Sequence, residues 1–158
     1  MSKIKFTVIG LLIVINTALA GNHPNCSVDI EDIIFGTYDP FEKHIKRTYT
    51  TLTVRCSHGM HKSGASFSIS VIGGNSSNPQ RRYLYSPSKN EKLYYNLYYR
   101  NCILGDGTGG TCKINVNIPP KKNCYSEVQY IIVGVIPPMQ NVSAAHDYQD
   151  NLTVIIEY

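Results

Sequence analysis

The 158-residue chain contains no tryptophan, only 16% charged residues, and no apolar run beyond its first twenty residues long enough to cross a bilayer. It lacks any sustained 3.6-residue apolar period, which excludes a helical bundle or a coiled coil. Its basic residues are dispersed, with "KHIKR" the longest cluster, so the electrostatic footprint of a nucleic-acid surface is missing. Catalytic signatures are missing too. "LGDGTGGT" has neither the lysine nor the hydroxyl of a phosphate loop, and no helical pattern follows it. Asp106, Asp147, Asp150 and Glu157 do not fall at a spacing that identifies paired catalytic carboxylates, and no serine sits in a nucleophile elbow. "CSHGMH" places Cys56, His58 and His61 close together without a fourth ligand, so a disulfide at Cys56 is preferred to zinc. These absences point to a chain that is not an enzyme, carries no metal or cofactor, and has no nucleic-acid partner.

What is present begins with a leader. Lys3 and Lys5 precede the apolar run "FTVIGLLIVI", and "ALA" ends at Ala20, the pattern of a secretory signal peptide over 1–20 with cleavage after Ala20. The run is too short for a membrane anchor, so no stable insertion is expected. Residues 21–158 then form one exported domain. Without the leader lysines, the charge balance is only slightly positive.

The exported part is rich in Tyr, Val, Ile and Thr and alternates with a period of two. "TLTVRC" puts Leu52, Val54 and Cys56 on one face, and "FSISV" does the same with Phe67, Ile69 and Val71. "RRYLYS", "KLYYNLYY", "KINVNI", "VQYIIVGVI" and "NLTVIIEY" follow, separated by "GGNSSNPQ", "SPSKNE", "GDGTGG" and two Pro-Pro segments. Seven or so short strands in a chain of this size imply an all-β sandwich of two sheets. The tyrosines in "YLYS" and "LYYNLYY" read first as core and cross-strand packing, with an exposed carbohydrate-binding patch as the alternative. The final strand places Leu152, Val154, Ile156 and Tyr158 on one face, an apolar strand with no following segment to pair its edge.

Taken in order, "CSVDIEDIIFGTYDP", "TTLTVRC", "LYYNLYY" with "LGDGTGG", "VGVIPPMQNV" and "YQDNLTVIIEY" resemble the spore coat protein U family, which includes subunits of archaic, Csu-type chaperone-usher pili. The resemblance spans nearly all of residues 21–158. It implies an incomplete immunoglobulin-like, pilin-type sandwich lacking its seventh strand. A periplasmic chaperone first lends that strand, and a neighbouring pilus subunit then replaces it at an outer-membrane usher. The expected acceptor groove is lined or flanked by Val28 and Ile30 on the first strand and by Leu152, Val154, Ile156 and Tyr158 on the last. Cys26 and Cys56 match the family's characteristic cysteine pair and are expected to be bridged. Of the three additional cysteines, Cys112 is expected to pair with Cys124, leaving Cys102 odd; Cys102 with Cys124 is the open alternative.

The chain departs from the family pattern before Cys26, where cleavage after Ala20 leaves only "GNHPN" as a donor segment. Five polar or breaker residues cannot fill an apolar groove, so the chain is expected to accept a strand without donating one, as a tip or cap of a fibre. Leu104 stands where the family commonly has tryptophan. The expected setting is the cell surface or a fimbrium, reached through the periplasm. A secreted spore or cell-coat protein and a carbohydrate-binding adhesin are the alternatives.

Overall fold

The computed structural model describes residues 2–8, 25–57, 64–120 and 125–157. Among them are eleven strands: β1 Ser2–Val8, β2 Asn25–Ile30, β3 Ile33–Gly36, β4 Lys46–Ser57, β5 Ala65–Ile72, β6 Arg82–Ser86, β7 Glu91–Tyr99, β8 Cys102–Ile103, β9 Ile114–Ile118, β10 Tyr125–Ile136 and β11 Gln149–Glu157. One sheet carries β2, β4, β10, β7 and β8; the other carries β3, β1, β11, β5, β6 and β9. The structure is all β and open, with free edges at β2 and β3 rather than barrel closure.

The core follows from the period-two alternation. Leu52, Val54 and Cys56 from β4 meet Phe67, Ile69 and Val71 from β5, and all are buried together with Leu84, Leu93, Leu97, Ile114, Ile132, Leu152 and Val154. Burying an aliphatic side chain of this size contributes roughly 1.5 to 3 kcal/mol, so these positions supply most of the driving force. The Cys26–Cys56 disulfide is formed and ties edge strand β2 to β4.

The chain changes sheets at two further points. β2 pairs with β4, whereas β3, two residues later, belongs to the opposite sheet. At that switch the buried Thr50 hydroxyl donates to the Glu31 carbonyl at 2.9 Å, satisfying a backbone group that has left its ladder. β7 pairs with β6 up to Tyr95 and with β10 from Asn96 onward. Asn96 holds this crossing. Its side-chain oxygen accepts from the Leu97 N–H and from Arg82, while its amide donates to the Gln80 carbonyl.

The crossing rests on a buried charge. Arg82 is fully buried and donates to the carbonyls of Val71 at 2.7 Å and Pro79 at 3.1 Å and to Asn96 Oδ1 at 3.0 Å. Burial pushes its guanidinium below the usual arginine range. Across the core, buried Asp150 accepts from the Asn75 and Asn151 N–H groups and from the Tyr95 hydroxyl at 2.7 Å. Burial raises its carboxyl, against the lowering effect of those donors and of Arg82.

Candidate strand-acceptor groove

β11 lies between β1 and the β5–β6 side of its sheet, and β1 in turn lies between β11 and β3. β1 runs parallel to β11, from Lys3 opposite Gln149 to Val8 opposite Val154. It runs antiparallel to β3, with Lys3 opposite Ile34 and Ile4 opposite Ile33. With strands spaced about 4.8 Å apart, β3 and β11 are separated by a slot one strand wide, roughly 10 Å from axis to axis. The strand in that slot comes from residues 2–8, inside the segment that the sequence marks as a leader.

The walls and floor of the slot are apolar. Ile33 and Phe35 on β3 and Leu152 and Val154 on β11 are buried. Phe35 packs edge-on against Tyr95, with ring centroids 5.7 Å apart, and lies so close to Gly134 that an added Cβ there would come within 2.8 Å of its ring. A glycine at 134 is therefore required by this close approach. The Tyr95 hydroxyl ends on Asp150, which links the groove floor to the buried polar cluster.

β1 stops at Val154, and beyond it the inward face is incompletely covered. Ile156 pairs with the fully buried Ile69, so it points inward, yet it is only half-buried. Cys26, Val28 and Ile30 stand opposite Cys56, Val54 and Leu52 on β4, so they too face inward while remaining half-buried. All four are packed against the core without being enclosed by it. Ile156 gains further burial where an added strand continues past Val154.

The backbone wall contributed by the N-terminal part of the domain is Ile33–Gly36, a segment that sequence reasoning left out of the groove. Val28 and Ile30 belong to the opposite sheet because the chain changes sheets at Glu31 and Asp32. The signal was the pair of acidic residues interrupting "SVDIEDIIFG", which breaks one apparent strand into two. Tyr158 lies outside the described residues, as do Cys124, His58 and His61.

Of the additional cysteines, Cys102 and Cys112 lie side by side, and Cys124, the expected partner of Cys112, is outside the described residues. Cys112 is a free thiol, half-buried beside Cys102, which is also free. The local reason is backbone pairing: the Cys112 N–H donates to the Ile103 carbonyl and its carbonyl accepts from Gly105, which seats Cys112 against β8.

The tyrosines divide between packing and surface. Tyr95 and Tyr148 are buried, whereas Tyr49, Tyr94 and Tyr125 are exposed. Tyr94 packs edge-on against Tyr83, over whose ring the Lys92 ammonium sits at 4.4 Å. Among the described residues no group of three or more His, Cys, Asp or Glu side chains is arranged to hold a metal ion, and Cys56 is occupied by its disulfide. No helix among these residues is long and apolar enough to cross a membrane.

Residues 13–155 match a family model described as Spore Coat Protein U domain. No curated protein matches the chain. Among solved structures, a likeness is found to a chain of the chaperone-tip adhesion subunit pre-assembly complex CsuC-CsuE, from archaic chaperone-usher Csu pili of Acinetobacter baumannii. The TM-score is 0.53 at 19% identity, with 85% of this chain and 40% of that chain covered. This chain thus spans well under half the length of that one, and the likeness is one of fold.

Proposed function

We propose, from the premise that the chain belongs to the spore coat protein U domain family, that it is a non-enzymatic structural subunit of a surface fibre whose groove accepts a strand from another polypeptide. The observation that carries this reading is the one-strand slot between β3 and β11, filled by residues 2–8. Cleavage after Ala20 would remove that strand and uncover Ile33, Phe35, Leu152 and Val154 together with two rows of unpaired backbone groups. An edge of this kind, set over an apolar core, is a template for strand addition. The partners are then a periplasmic chaperone, an outer-membrane usher and a neighbouring subunit. Assembly is driven by apolar burial and backbone pairing, without a reaction.

The five residues "GNHPN" that would precede Cys26 after cleavage have no alternating apolar positions to donate. That composition supports a terminal place in the fibre, at its tip or as its cap. The likeness of fold to a chain from a complex of a chaperone with a tip adhesion subunit is in keeping with this place.

The test uses the half-buried end of the groove. Ile156→Asp should leave the domain foldable, because Ile156 lies beyond the register of β1, but should put a charge under any longer incoming strand. The expected loss is roughly 2 kcal/mol of strand binding, about 30-fold in affinity. It would be read as loss of the partner polypeptide when the tagged, exported chain is isolated without denaturant. Asn151→Asp, at an exposed position of the same strand, is the control and should retain the partner. Equal recovery of the partner by both variants would contradict the assignment of this face to strand capture.

A further inference from the structure

Outside the groove, two thiols are held together by the start of β8 and the residue that enters β9. The connecting loop, residues 104–111, folds back on itself. The Gly105 N–H donates to the Cys112 carbonyl at 2.8 Å, the Cys112 N–H donates to the Ile103 carbonyl at 2.8 Å, and Leu104 and Cys112 form a parallel bridge. The positive φ of Gly107, Gly109 and Gly110 lets the chain turn tightly enough to do this. Its interior is pinned by Asp106, whose carboxylate accepts from the Thr108 N–H and hydroxyl, and by the Thr111 hydroxyl, which donates to the Thr108 carbonyl at 2.7 Å.

The result is that both sulfurs meet at one oxygen. The Cys102 thiol lies 3.6 Å and the Cys112 thiol 3.4 Å from the Ile103 carbonyl oxygen. The two thiols also interact directly: burial first, and the neighbouring Cys102 thiol second, push the Cys112 thiol up to about 12. Both residues are half-buried, so a small oxidant can reach them. Two thiols that share one acceptor on a pinned backbone are near neighbours, and a bond between them draws their Cα atoms to within about 7 Å.

We propose that Cys102 and Cys112 form a second disulfide in the exported protein and close the glycine-rich loop at its base. The oxidant is a disulfide-bearing thiol oxidant of the compartment. Cys102 attacks one of its sulfurs and displaces the other as a thiol, giving a mixed disulfide. Cys112 then attacks the Cys102 sulfur and releases the second oxidant thiol. Two cysteine protons and two electrons pass to the oxidant, one disulfide is consumed and one is made. The bridge fixes Gly105, whose carbonyl accepts from the Val71 N–H at 3.2 Å, and thereby holds the loop against β5 beyond the end of β9. Cys124 is left as the odd thiol.

The proposal rests on the chain being exported, and the test separates the two. Peptide mapping of the full exported chain, with free thiols blocked before unfolding, should yield linked Cys102 and Cys112, linked Cys26 and Cys56, and label on Cys124 alone. Cys124→Ser should leave both links unchanged. Labelled Cys102 and Cys112 beside an intact Cys26–Cys56 bridge, or either of them linked to Cys124, overturns the proposal. If Cys26 and Cys56 are labelled as well, export is what fails, and the reduced protein is treated with oxidised glutathione instead. Loss of about 2 Da with both thiols blocked to label supports the pair, whereas persistent glutathione on both cysteines overturns it.

Discussion

Replacing Val154 with aspartate should leave no folded monomer to purify. Val154 is fully buried on β11, between Val8 of β1 and Val71 of β5, and it belongs to the central apolar cluster. An aspartate there loses the transfer free energy of the valine and places a carboxylate where no donor can reach it, a cost of about 4 kcal/mol or more. A domain of this size has about 5 to 15 kcal/mol in hand, and an unfilled groove would consume part of that. The check is the soluble yield and denaturant midpoint of the variant beside those of Asn151→Asp, three residues earlier and exposed, which should stay close to the parent. The contrast distinguishes a buried groove wall from a strand that merely tolerates no charge.

Arg82→Ala should produce the second large loss, about 3 to 5 kcal/mol. The side chain is fully buried, and its removal takes a donor from the carbonyls of Val71 and Pro79 and leaves the side-chain oxygen of Asn96 with the Leu97 N–H alone, at the point where β7 passes from one sheet to the other. It also leaves the buried carboxylate of Asp150 without its nearby cation. Arg82→Lys keeps the charge but cannot address three separate acceptors with a planar fork, so it should recover only part of the loss. Chemical denaturation of the three proteins, at unchanged m-value, measures the order parent, lysine, alanine.

The two variants also mark what was legible in the sequence. Val154 was visible because alternation in "NLTVIIEY" sorts Leu152, Val154 and Ile156 onto one face, as it sorts Leu52, Val54 and Cys56 in "TLTVRC". Arg82 and Asp150 were hidden by the ordinary expectation that charged residues lie outside. Yet the same alternation carries them: Asp150 precedes Leu152 by two, and Arg82 precedes Leu84 by two, so each lies on the inward face of its strand. Extending the period through a charged residue would have found the cluster.

Sheet switching was harder to see. Pairing partners are a property of the folded whole, and "SVDIEDIIFG" offers only two acidic residues as the sign that β2 and β3 lie in opposite sheets. The approach of Cys102 to Cys112 was hidden for a similar reason. Cys102 and Cys112 are separated by a glycine-rich stretch whose closed form depends on left-handed backbone at three positions and on Asp106 and Thr111 bonds, none of which spacing alone specifies. The leader read as a cleavable apolar segment. That its first residues could occupy the empty strand position follows only once the slot between β3 and β11 is known.

The central claim, that this domain is completed by a strand it does not keep, is tested most directly on residues 21–158 with and without the synthetic peptide SKIKFTV, the segment seated as β1. Amide hydrogen exchange is followed in Ile33–Gly36 and Gln149–Glu157. The account predicts that the truncated protein alone exchanges rapidly at the amides of β3 and of β11 that point toward the slot and self-associates through that edge. Added peptide should slow those amides, restore a monomer, and raise the unfolding midpoint as its concentration exceeds its Kd. A truncated protein that is already a stable monomer, protected at both edges and indifferent to the peptide, would contradict the account.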